Sequence, residues 1–455
     1  MSTIKIDNIE PQSGRVVNLK GDLQFAAGFG IKPSVNRIGT PGQQGFGVGV
    51  PSVLPAGFSK MPGSEDIASP NYGNYQYSDG SVMVYVPAFY YKITGLNIDI
   101  KDVGDFGDEA AANAAGYALH RAFKDGGQNH DGFFVDKYQC SNNAGVASSI
   151  KDGLPISTSS AHNPISGLNG APANAYYSCI DGAKTRGSEF FCTSRFIYAA
   201  LAMLAMAHGQ AATAATYCAW YDAAGVTNFP KGNNNNALGD VNDASLSFVS
   251  DGYSNCAKTG SANNIAKTAH NGQACGVVDL NGNMWEVSIG LTRPGTTAAE
   301  AINDTLGTTA FYVAKTSVRM QDFTSGWNGA ADHWGDAAHL ATLFDATDLS
   351  MITNSAGAWQ RFGNAANQVL DGATAGIGNT LTGLGIYKDA LGKSAAGINL
   401  FGVDGIYEYW RSNLAMISGG YWGYGSLAGV WSAYLDSYRT LAANGVGFRS
   451  ACYSV

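Results

Sequence analysis

The chain has 455 residues, of which only 14% are charged, and 27 Lys and Arg face 35 Asp and Glu for a formal net charge of -8. Such a chain has no general attraction for polyanions, and it has no Lys/Arg run interleaved with aromatics to track a phosphate backbone, so nucleic-acid binding is not expected. A hydrophobic content of 45% excludes charge-driven disorder, while 59 glycines point to a loop-rich fold, and the length allows two or three domains or one elaborated domain.

Residues 2–24 (STIKIDNIEPQSGRVVNLKGDL) alternate apolar and polar positions around Pro11 and Gly14, predicting two short strands about a turn. The Gly/Pro-rich stretch 26–63 is too apolar for a solvated linker and reads as an irregular, packed connection ordered by neighbouring chains. GSVMVYVPAFYYKI (80–93) predicts a strand pair broken at Pro87 and marks entry to the main domain. Residues 108–124 predict a helix, FFVDKYQC (133–140) a strand, 194–208 an apolar helix and 211–223 a second helix. The stretch 196–208 is shorter than the ~20 residues that span a bilayer, so no membrane insertion is expected. The Asn-rich run 233–236 reads as a solvated loop tip. Strands and long loops dominate from Cys275, with an insertion at about 292–399 and an aromatic-rich block from Gly405 to Val455. No repeat of 20 to 50 residues is visible, and the pattern is that of an α+β protein with long loops.

The N-terminus shows no apolar signal-like stretch, so synthesis in a cytoplasm is the expectation. The seven cysteines are spread along the chain without a CxxC pair, which fits buried free thiols rather than a zinc ribbon or a disulfide framework. His333 and His339 are spaced wrongly for an i, i+4 metal pair on a helix, and neither a GxSxG elbow nor a GxxxxGK[ST] loop is present.

Two segments are sharper. In GVVDLNGNMWE (276–286), Asp279, Asn281, Gly282 and Asn283 form a turn before Trp285 and Glu286 start a strand; Asn and Gly accept left-handed backbone geometry, and Asp and Asn bond nearby amides. The same side chains could serve a cation, although the full EF-hand spacing is absent. In the terminal block 419–455, Tyr421, Trp422, Tyr424, Trp431, Tyr434 and Tyr438 are mixed with Gly, Ser, Ala and Asn. That is the composition of antibody binding loops, where Tyr offers wide amphipathic contact at low entropy cost. Burial of the same aromatics in a core is the competing reading.

The segments GSVMVYVPAFYYKI, FFVDKYQCSN (133–142), GVVDLNGNMWE and VGFRSA (446–451) occur in the order seen in the formylglycine-generating-enzyme type of C-type lectin fold, which the chain resembles over roughly residues 64–455. Within that superfamily it looks most like the variable proteins of diversity-generating retroelements, especially phage tail-fibre tips related to the major tropism determinant. The resemblance implies a receptor-binding protein rather than an enzyme. Its ligand surface would be the terminal block, with Asp279, Asn283, Trp285, Glu286, Trp422, Trp431, Val446, Gly447, Phe448 and Arg449 as fixed scaffold. Diversified, receptor-contacting positions would be Tyr421, Gly423, Tyr424, Leu427, Tyr434, Asp436, Ser437, Leu441, Ala443 and Asn444. Residues 1–63 look like a virion attachment and trimerisation segment, which implies a homotrimer on a phage tail, docked on other tail proteins and facing a host cell-surface receptor, protein or glycan. No cofactor, metal or catalytic residue is implied.

Other readings stay in view. The oxidases of the superfamily use a cysteine pair near the C-terminus, whereas this chain has no Cys between Trp410 and Arg449 and a lone Cys452 after the GFR strand. The E-P-N or Q-P-D and W-N-D segments of calcium-dependent sugar-binding lectins are absent. A tail-associated glycosidase or a purely structural virion decoration protein are the remaining alternatives.

Overall fold

The computed structural model describes residues 35–94, 97–170, 173–222, 229–293, 310–325, 337–348, 358–361, 383–386, 404–409, 411 and 413–454. The expected strands of 2–24, His333 and most of the 292–399 insertion lie outside the described residues; His339 falls in the short helix Ala337–Leu343. The architecture mixes several antiparallel sheets with few helices, which is compatible with α+β. Among the described residues no helix is long and apolar enough to cross a membrane.

A first six-stranded sheet runs, in spatial order, Phe58–Lys60, Asn74–Tyr77, Val82–Pro87, Gly132–Asp136, Ser450–Tyr453 and Phe191–Cys192. Every neighbouring pair is antiparallel, so the last strand of the chain is held between 132–136 and 191–192. The strand pair expected over 80–93 is present as Val82–Pro87 and Phe89–Thr94, parted at Ala88 just after Pro87. Their runs of β-branched and aromatic residues are buried, as strands covered on both faces should be.

The long helix is Arg195–Ala211, begun by Ser194, whose hydroxyl accepts from the Ile197 N–H at 3.3 Å. It is apolar all round because it is buried from Arg195 to His208. Its first residue reaches the second sheet: Arg195 donates to the carbonyls of Leu384, Trp431 and Ser432 and to the Ser418 hydroxyl, which satisfies a fully buried guanidinium.

Four expectations change. The helix expected over 108–124 is confined to Glu109–Ala114, because Gly116 turns to φ +83° and Ala118–Leu119 instead pairs with the 89–94 strand. Residues 212–222 are turns rather than a second helix: Ala212 leaves helical geometry at ψ 137°, and Trp220 folds back to donate to the Ala269 carbonyl at 3.0 Å. Residues 35–63, expected to go with the N-terminal segment, pack into the main body, which begins at Pro33; Ile38, Phe46, Val48 and Val50 are buried in its core. The Asn-rich run is not simply a solvated tip, since Asn233 and Asn234 are buried while Asn235 and Asn236 are exposed.

Candidate ligand-binding face

A second six-stranded sheet carries the terminal block. Its spatial order is Ala358–Arg361, Gly405–Glu408, Gly429–Tyr434, Ile417–Gly419, Trp285–Val287 and Val446–Gly447. The parallel pairing of Trp285 with Val446 and Glu286 with Gly447 places the two sharpest sequence motifs side by side.

The turn before Trp285 is a structural one. Asp279 and Asn283 sit at φ +59° and +60°, and Gly282 at +78°, where an added Cβ would strike the Asn233 carbonyl. The polar side chains are spent on protein partners: Asp279 accepts from the Gly260 N–H at 2.6 Å, Asn281 donates to the Pro230 carbonyl at 2.6 Å, and Asn283 donates to Gln139 Oε1 at 2.8 Å. Asn233 and Asn234 donate to Asn283 Oδ1 and Asn281 Oδ1, both at 3.0 Å. The same Asn run then grips the terminal loop, as the Asn236 N–H donates to the Trp422 carbonyl and the Gly425 N–H to the Asn234 carbonyl. Loop 421–425 is thus hung from the 279–283 turn through residues 233–236.

Burial raises the Asp279 carboxyl to about 6, against the Arg449 charge and the Gly260 N–H, which lower it. A folded value above the ordinary one means that ionisation costs stability, and this is lost as pH rises from about 4 to about 6. We expect Asp279→Asn, which keeps an acceptor for Gly260, to remove up to about 3 kcal/mol of that pH dependence in urea titrations at pH 4 and pH 8.

The scaffold assignment and the ligand assignment separate by burial. Trp422, Trp431, Val446, Gly447, Phe448 and Arg449 are buried. Tyr421, Tyr424, Leu427, Tyr434, Asp436, Leu441, Ala443 and Asn444 are half-buried and Gly423 is exposed. Ser437 is the exception: it is 2% exposed, and its carbonyl accepts from the Ala415 N–H, so it cannot touch a ligand directly. The residues alternate inward and outward after the 429–434 strand, and Leu435, Ser437 and Arg439 take the inward places. If this face binds a ligand, Ser437→Ala should leave binding within twofold of wild type by titration, and a larger loss would contradict the inward placement of Ser437.

The half-buried aromatics form one continuous cluster. Tyr434 stacks on Tyr407 at 4.6 Å and 20°; Trp359 meets Tyr407 at 5.3 Å, Tyr424 at 5.2 Å and Tyr434 at 5.8 Å. Tyr424 stands edge-on to the buried Trp285 at 5.1 Å and to Tyr421 at 4.8 Å. Edge-to-face contacts of this kind fix the rings before any ligand arrives. Burial, then the nearby Tyr421 and Tyr407 phenols and Asp436, push the Tyr424 phenol up to about 12, so it is a neutral donor at neutral pH.

Beside the rings, Arg411 and Asp436 pair at 2.5 Å, and the guanidinium lies 5.2 Å from the Tyr409 ring and 5.5 Å from the Tyr438 ring. Burial raises the Asp436 carboxyl, opposed by Arg411. Trp359, Tyr407, Tyr409 and Arg411 were not among the sequence candidates. The alternation in GIYEYW marks Tyr407 and Tyr409, while Trp359 comes from the insertion and has no local signal.

At the other end of the face, Leu441 and Ala443 are held by the backbone of Tyr176 and by Thr158, and Asn444 is held by His162 and Tyr253. Tyr421 leans over Gly445, which joins this end to the aromatic cluster. All seven cysteines are free and buried. No family model matches the chain, and no curated protein matches it either.

Proposed function

We propose that the chain is the receptor-binding tip of a phage tail fibre, built on a C-type lectin fold of the formylglycine-generating-enzyme type and belonging to the variable proteins of diversity-generating retroelements. Its receptor-contacting face is the surface of Tyr421, Gly423, Tyr424, Leu427, Tyr434, Asp436, Leu441, Ala443 and Asn444, extended by Trp359, Tyr407 and Arg411. The observation that carries the reading is the division of the terminal block: the expected scaffold residues are buried, and nine of the ten expected contact residues reach the surface. A rigid aromatic patch with one charged pair beside it has the chemistry of a protein- or glycan-binding surface.

Binding is favoured over oxidase chemistry because a reactive cysteine must be a thiolate. Burial pushes the Cys452 thiol up, and no second cysteine lies between residues 410 and 449. Virion location, docking through the N-terminal segment that precedes the main body and a homotrimer belong to the same proposal and rest on the sequence resemblance. Single-site affinity would be modest, and linked copies would raise avidity by ~10²–10⁴.

Competition tests the reading. Purified chain, added in excess to host cells before phage, should reduce attachment at least tenfold. Undiminished attachment in the presence of cell-bound chain would favour a decoration protein instead.

A further inference from the structure

Beneath the Asn444 end of the face, three donors of three different kinds converge, His162 from one loop and Asp251 and Cys256 from the turn 250–257. His162 Nε2, an Asp251 carboxylate oxygen and Cys256 Sγ all lie within 4.8 Å of one another. The His162 and Asp251 side chains are 2% and 0% exposed, and Cys256 is fully buried.

The hydrogen bonds fix how the imidazole is used. His162 Nδ1 lies 2.7 Å from the Asn444 carbonyl oxygen, which can only accept, so Nδ1 carries a hydrogen. His162 Nε2 then faces Asp251 Oδ2 at 2.6 Å, acceptor against acceptor unless something positive lies between them. A second proton meets that need. So does a metal cation, and an imidazole whose far nitrogen donates to a backbone carbonyl is the usual way of orienting a metal-binding histidine.

The surroundings are arranged in the same way. Asp251 Oδ1 accepts from the Tyr253 N–H at 2.8 Å and Oδ2 from Asn163 Nδ2 at 3.3 Å, which holds the carboxylate in place. The Cys256 sulfur has long contacts of 3.7 Å to Asn283 Oδ1, 3.7 Å to Met284 Sδ and 3.8 Å to the Ala257 carbonyl, and its thiol also hydrogen-bonds the Asp251 carboxylate, so the sulfur already faces its fellow ligand. Tyr253 stacks on the imidazole at 4.2 Å and Trp422 closes it edge-on at 6.1 Å, which excludes solvent.

We propose that His162, Asp251 and Cys256 form a site for a divalent transition-metal ion, zinc by the chemistry of its donors. One imidazole, one carboxylate and one thiolate suit a borderline cation that accepts N, O and S ligands in a tetrahedron, whereas calcium and magnesium take oxygen sets. Binding replaces two protons, one between Nε2 and Oδ2 and one from the thiol, and both leave to solvent. Burial, then the Asp251 charge, hold the thiol above its ordinary range, so the sulfur ionises only when the cation arrives. Donor separations in a zinc tetrahedron are about 3.3–3.7 Å, from the usual bond lengths of about 2.0–2.3 Å, so the His162–Asp251 contact must open and the sulfur move in slightly. The fourth position of the tetrahedron would be filled by a water that enters with the ion.

The site would make the receptor face more rigid without touching the receptor. The imidazole that binds metal also holds the Asn444 carbonyl, and Tyr253, stacked upon it, accepts from Asn444 Nδ2.

The test uses the full-length chain, stripped with a chelator and titrated with ZnCl2 by calorimetry, with metal content measured after desalting. One zinc per chain is expected, with at least roughly 100-fold weaker binding in His162→Gln and in Cys256→Ser. Circular dichroism shows whether each variant folds. If neither variant folds, the wild-type cobalt(II) complex decides on its own: a near-ultraviolet thiolate-to-cobalt band at one equivalent, absent with magnesium, supports the site. A wild-type chain that takes up no zinc and gives no cobalt band overturns it, leaving a buried imidazolium–carboxylate pair. Binding that survives in both folded variants also overturns it. None of these outcomes bears on receptor binding, which the attachment assays read separately.

Discussion

Replacing Arg449 by Met should destabilise the chain by about 3–5 kcal/mol, seen as a lower urea midpoint with an unchanged slope. Arg449 and Glu286 are both 0% exposed, with Nε 2.7 Å from Oε2. The guanidinium also donates to the carbonyls of Asp136 and Lys137, at 3.2 and 2.9 Å, and of Val278 at 2.6 Å. A single side chain therefore ties the 132–136 strand of the first sheet, the 276–286 segment and the 446–447 strand of the second.

Without it, Glu286 loses its cation and keeps the hydrogen bond from Gln139 Nε2 at 3.0 Å. An unpaired buried carboxylate is the main cost. Three carbonyls losing a donor add to it. Arg449→Lys should fail nearly as badly, because an ammonium cannot serve both a carboxylate and three diverging carbonyls in fork geometry. The double variant Arg449→Met, Glu286→Leu should recover part of the loss by removing the stranded charge. A loss under about 1 kcal/mol for Arg449→Met would show that the pair does not organise the two sheets.

The second large effect falls on binding. Tyr421→Ser with Tyr424→Ser should weaken attachment of the purified chain to host cells by roughly 30-fold or more, the scale of losing a central aromatic anchor. Both rings are half-buried and share an edge contact at 4.8 Å, so they act as a unit and their separate losses should not add. Stability should fall less than in the Arg449 variant, by about 1–2 kcal/mol, because Tyr424 also packs on Trp285 and Trp359. Tyr434→Ser should cost more stability than either, since that ring lies on Tyr407 and against both tryptophans. Trp359→Ala should weaken attachment as well, which would bring the insertion into the binding face. Normal attachment by folded variants would mean that the rings are core and not contact surface.

The local elements were legible where one physical signal dominated. The strand pair at 82–94 is marked by β-branched and aromatic runs about Pro87, the helix at 195–211 by unbroken apolar content after a capping Ser, and the 279–283 turn by Asn and Gly at positions of positive φ. Helix formers misled where tertiary contacts outweighed propensity: Ala118–Leu119 joins a sheet, and residues 212–222 fold back under the helix. The polar run 233–236 read as solvated because no sequence rule shows that its amides meet those of Asn281 and Asn283, some 50 residues away.

The candidate face was legible in composition and not in extent. Tyr, Gly and Ser between 419 and 444 mark a surface of binding type, but Trp359 and Arg411 arrive from other strands and loops. Ser437 was misplaced because its inward turn depends on an alternation that continues past the end of the 429–434 strand. The His162, Asp251 and Cys256 cluster matched no known motif, since Asp251 and Cys256 share one turn while His162 comes from a loop 89 residues before Asp251 and joins them only through packing.

The most direct measurement is deep sequencing of codons 419–455 in a phage population passaged on changing hosts, compared with the rest of the gene. The account predicts amino-acid changes concentrated at Tyr421, Gly423, Tyr424, Leu427, Tyr434, Asp436, Leu441, Ala443 and Asn444, with Trp422, Trp431, Gly447, Phe448 and Arg449 unchanged and Ser437 silent. A terminal block no more variable than the rest of the chain, or changes falling equally on the buried scaffold, would contradict it.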